Sequence, residues 1–153
     1  MEGQQERPVV AREEVEMSEL VLSDEGRILA GILLLSLVTV ETGGVYLVRL
    51  WQRGGVTEFQ AGFARAGHAH AGVLLILGLL CQPLADAADL PVGWDWAARS
   101  GVPIAAILMP AGFFLSSMGR GRERPNRLVA LVYAGGLVLA LGLSVLGVGL
   151  LVA

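Results

Sequence analysis

Residues 28–50 read ILAGILLLSLVTVETGGVYLVRL, and this stretch decides the fold. It is apolar over the roughly 20 residues that a helix needs to cross about 30 Å of hydrocarbon, and its one acidic side chain is Glu41. Three further runs of the same character follow at 61–80, 102–118 and 128–152. The chain as a whole is 54% hydrophobic and 16% charged, with a mean hydropathy of +0.65, more apolar than a soluble core can hide. Lipid offers no partner for backbone N–H and C=O groups, so each span must satisfy them within a helix, and no period-2 alternation points to a barrel. The expected class is therefore all-α: a polytopic membrane protein with four transmembrane helices in an antiparallel bundle, over residues 27–153.

Residues 1–26 are of another kind. Eight acidic side chains face two arginines there, and the positive start and cleavage site of a secretory signal are missing. We read an acidic, partly disordered tail with a short helix near 11–21. Ser23 is placed to cap the first span, with Asp24 and Glu25 complementing the positive end of its dipole.

The basic residues, all arginine, divide the connections. Arg49, Arg53 and Arg65 flank the first, and Arg120, Arg122, Arg124 and Arg127 fill the third, while the tail and the second connection (82–101) carry most of the acids. The positive-inside rule makes the first and third connections cytoplasmic and both termini external, in a bacterial inner (plasma) membrane. Trp94 and Trp96 fit an interfacial belt on one side, Trp51 and Tyr46 on the other. In the last span Gly136, Ala140 and Ser144 recur every four residues, a small-residue stripe expected to pack helices or to form a homodimer seam.

Ionisable residues inside spans are costly and mark functional sites. Four qualify: Glu41, Arg65, His68 and His70. Counted from the ends of their runs, Glu41 lies roughly 13 Å deep and His68 roughly 10 Å, so antiparallel neighbours bring them to similar height. Arg65, His68, Gly72 and Leu75 share a helix face, whereas His70 is rotated about 200° from His68 and so does not readily chelate one metal with it. Three uses of the cluster stay open. It is a Glu–Arg or Glu–His bond that locks two helices, a ligand, haem, transition-metal or substrate site, or a proton pathway built on the near-neutral titration of histidine. As an enzyme, His68 serves as acid/base, Glu41 orients it and Arg65 steadies negative charge. Other chemistries are excluded: there is no HExxH, no GxGxxG or Walker loop and no CxxC. Cys81 reads as a packing residue. Partners are the lipid bilayer and a second copy or a larger membrane complex, with no nucleic acid.

The segment Arg65-Ala-Gly-His68-Ala-His70-Ala-Gly-Val-Leu resembles small membrane proteins with a His-x-His at a helix start, some of them similar to part of the haem-copper oxidase core. That likeness implies a haem ligated by His68 or His70. The same residues with Gly72 resemble hydroxylaminobenzene mutase-like membrane proteins, implying an isomerase. Glu41 in the first of four helices is similar to the glutamate of small multidrug exporters, implying proton-coupled export. The whole chain, with Met109-Pro-Ala-Gly-Phe-Phe-Leu-Ser-Ser and Arg124-Pro-Asn-Arg, resembles uncharacterised actinobacterial four-helix integral membrane proteins, which implies a fold and no activity.

Overall fold

The computed structural model describes residues 22–153, so the expected acidic tail falls outside the described residues up to position 21. Four helices follow one another: α1 (Asp24–Arg53), α2 (Glu58–Ala88), α3 (Val92–Ser117) and α4 (Ala130–Val152), the last entered through a 3-10 turn at Arg127–Val129. Each is long and apolar enough to cross a membrane. No strand occurs among the described residues. The protein is a four-helix polytopic membrane protein, as its hydropathy requires.

Local chemistry sets the ends. Ser23 Oγ accepts from the Gly26 N–H and caps α1, and Gly54 ends it at φ 71°. Thr57 and Gln60 close a reciprocal capping box on α2, satisfying two backbone donors at once. Asp89, in the left-handed conformation at φ 43°, stops α2, and Pro91 opens α3. The second connection is thus three residues, Asp89 to Pro91, where the sequence suggested a loop over 82–101. Charge ended the hydropathy signal there, yet the helices run on. Arg99 pairs with Asp95 one turn away, and the Gln82 amide N–H groups donate to the Gly78 and Arg99 carbonyls, so these donors find partners within the bundle.

The core lies among α2, α3 and α4, where Leu74, Leu75, Cys81, Ala85, Ala98, Val102, Ala105 and Leu146 are buried together. Cys81, 1% exposed, is the packing residue expected. The expected small-residue stripe does not make the α3–α4 contact. Gly136 has open space where a Cβ would stand, and Ala140 and Ser144 are exposed. The seam is formed one residue earlier in register by Gly135 and Gly142, and Gly149, a further seven residues on, is buried against Leu90 of the second connection. A one-residue shift turns a helix by 100°, enough to move one stripe outward and bring the other in. At the centre the Gly142 and Gly101 backbones touch: a Cβ added to Gly101 would lie 2.7 Å from the Gly142 Cα.

α1 packs extensively on α2 alone. Gly26, Leu33 and Leu47 are its buried residues, and Gly78 of α2 receives Leu33. At the opposite end from Ser23 the two arginine-bearing connections are tied together. Thr57 Oγ1 donates to the Arg122 carbonyl at 2.6 Å, and the Gln60 amide donates to the Ser117 and Gly119 carbonyls at 2.9 and 2.7 Å. Seven arginines consequently collect at one end of the bundle: Arg49, Arg53, Arg65, Arg120, Arg122, Arg124 and Arg127.

Candidate functional site

The four intramembrane ionisable residues do not form one cluster. His68 points from α2 into α1, where its Cε1 and Nε2 lie 3.1 Å from the position a Gly44 Cβ would take. Glycine is what lets the ring sit there. Glu41 lies three residues before Gly44 on α1, rotated by about 60° and displaced by roughly 4.5 Å from it. It is exposed, and among the described residues it forms no ion pair. Neighbouring polar side chains on α1 are satisfied within their own helix: Ser36, Thr39 and Thr42 donate to the Ile32, Ser36 and Val38 carbonyls.

Arg65 lies on the outer edge of the α1–α2 seam and reaches toward the arginine end, its guanidinium 5.5 Å from the centre of the Trp51 ring. This is cation–π geometry, with the long side chain carrying its charge toward the interface. His70 faces the other way: its Nδ1 is 2.7 Å from the Ala66 carbonyl, and its ring is 5.0 Å from that of Phe113 on α3. The two imidazoles therefore belong to different helix pairs. Among the described residues, no three His, Cys, Asp or Glu side chains converge as a metal site would require.

Two open hollows flank His68. One, about 330 Å³, is lined by Thr39, Val40, Gly43, Tyr46 and Phe114, and the other, about 310 Å³, by Gly44, Leu47, Val48, Trp51 and Arg65. Both are apolar grooves edged by a few donors. The Trp51 indole N–H, itself covered, has no acceptor.

The most highly paired ionic group of the described chain escaped the hydropathy reading. Arg99, with a side chain only 5% exposed, donates through Nη2 to Asp86 at 2.7 Å and through Nε to Asp95 at 2.6 Å. Asp86 also accepts the Ser23 N–H at 3.2 Å, so the start of α1 is clasped to α2 and α3. Gly26 leaves room for the clasp, since a Cβ there would lie 3.1 Å from Arg99 Nη1. Gln82, wholly buried beneath, keeps its Oε1 without a donor. The available signal was the Asp95–Arg99 spacing of four, which is legible once α3 is known to begin before the charges.

Fold and site together define a small multi-pass helical membrane protein, with a polar clasp at one end and an arginine-rich end at the other. No known protein family, curated protein or solved structure matches this chain.

Proposed function

We propose that the protein is an accessory subunit of a larger integral-membrane assembly, and that it joins that assembly through the outward face of α1. The single observation that carries this reading is Glu41: a carboxylate midway along a membrane-length helix, exposed and without an ionic partner among the described residues. Charged side chains at such depth face protein or water, because hydrocarbon solvates them poorly. α1 supplies the setting, with one extensive neighbour and an otherwise open apolar surface that includes Leu35, 73% exposed, and Val38, 64% exposed. The complementary partner is a membrane helix that presents a basic or hydrogen-bond-donating side chain at mid-depth. By the positive-inside rule the arginine end is cytoplasmic and both termini are external, in a bacterial inner membrane.

The test is the mass of the particle released from native membranes with an amphipathic polymer. A particle containing a second transmembrane chain, lost on Glu41→Leu, supports the proposal. A lone 16.1 kDa chain in a lipid disc overturns it. Haem or a transition metal draws support only from His68 and His70, which face different helices.

A further inference from the structure

The groove bounded by Gly44, Leu47, Val48, Trp51, Arg65 and His68 has a composition that selects its occupant. Its polar groups are a guanidinium, an indole N–H and an imidazole, and no carboxylate lines it. Glu41 is displaced from Val48 by seven residues, roughly 10 Å along the helix, too far to neutralise Arg65. Among the described residues Arg65 has no acidic partner. The indole N–H has no acceptor either, and it belongs to the ring that walls this groove. An anion answers both groups.

The rest of the wall is hydrocarbon. Gly44 supplies no side chain and takes the edge of the His68 ring, and Leu47 and Val48 continue the surface away from the arginine end. A free anion would leave that apolar length bare. We propose that this groove is a binding site for one phosphate-headed acyl lipid: Arg65 and the Trp51 indole hold the phosphate, and an acyl chain lies along Gly44, Leu47 and Val48. Arg49 and Arg53, exposed on the last turns of α1, draw anionic headgroups to the same end. This proposal is independent of any protein partner on the outward face of α1.

The test uses Trp51 as its own reporter. Trp94 and Trp96 are exposed at the far end of the bundle, so Trp94→Phe with Trp96→Phe leaves one indole fluorophore. The full chain is reconstituted in phosphatidylcholine with a fixed fraction of acyl-brominated lipid, either phosphatidylglycerol or phosphatidylcholine. Expected is a relative affinity for phosphatidylglycerol about fivefold higher, the worth of one arginine near an anionic surface, reduced to about onefold by Arg65→Gln. Val48→Phe fills the groove while keeping every charge, and it too abolishes the preference. Arg120→Gln with Arg124→Gln leaves it intact. Circular dichroism and gel filtration confirm that each variant remains folded. Equal quenching by both brominated lipids in the parent overturns the site. So does a preference that survives Arg65→Gln, or one that is lost with Arg120 and Arg124 instead, which identifies general surface charge. Inorganic phosphate that abolishes the preference identifies a free-anion site and overturns the lipid assignment.

Discussion

Replacing Gly101 by alanine tests whether backbone contact sets the α3–α4 spacing. The added Cβ stands 2.7 Å from the Gly142 Cα and 3.4 Å from both the Gly142 N and the Val138 O. Carbon atoms rest about 3.5–4.0 Å apart, so the new methyl is roughly 1 Å too close to an atom that has no rotamer to change. The helices must part, loosening contacts along the Gly135–Gly142 seam. Overpacking of this kind costs about 1–3 kcal/mol, and alanine returns about 0.5–1 kcal/mol of helix propensity, leaving a net loss of about 1.3 kcal/mol at the middle of those ranges. The lone thiol supplies the assay. Cys81 is 1% exposed and packs in the same core as Ala98, Val102 and Leu146, so maleimide reacts with it only when the bundle opens. A loss of about 1.4 kcal/mol raises the labelling rate in detergent about tenfold. Gly136→Ala is the control: its new methyl meets open space, so only helix propensity acts, and labelling should slow by about two- to fivefold. If Gly101→Ala labels no faster than Gly136→Ala, the backbone contact does not govern this interface.

Arg99→Met strands Asp86 and Asp95, each about 20% exposed, and should destabilise the protein by about 3 kcal/mol in the same thiol assay. Combining it with Asp86→Asn and Asp95→Asn should recover most of that loss, because no net charge is then left unpaired. Topology is read by labelling Gly121→Cys in intact cells: a membrane-impermeant maleimide should reach it only after permeabilisation, and labelling of sealed cells reverses the proposed orientation. Protein purified after haem-replete expression should show no Soret band that depends on His68 or His70. A band removed by His68→Ala or His70→Ala would revive a haem role, despite the different helices that the two rings face.

The spans were legible because burying backbone in lipid leaves a signal that composition alone reveals, and Ser23 was legible because a cap is a local event. Pairing was not. Whether Gly135 or Gly136 faces α3 depends on a rotation fixed by Met109 and Gly101, residues distant in the chain. Arg99 looked like a loop residue because hydropathy averages over a window and cannot register that Asp86, Asp95 and the Ser23 amide converge on it or on its partners. A depth count places Glu41 beside His68, whereas His68 meets Gly44, a three-residue stagger and a modest rotation away along α1. Trp51 read only as part of an interfacial belt, and its stacking under Arg65 needed the seam between two helices to be seen.

The limited anchorage of α1 has a geometric consequence for assembly. With α1 set on α2, and α2, α3 and α4 packed on one another, the bundle leaves two open ends for a row of copies: the free side of α1 with Glu41 and the free side of α4 with Gly136, Ala140 and Ser144. Like ends meeting about a twofold axis terminate at a pair. Unlike ends joined head to tail carry the row onward from copy to copy, in the plane of the bilayer, until curvature or a different neighbour stops it.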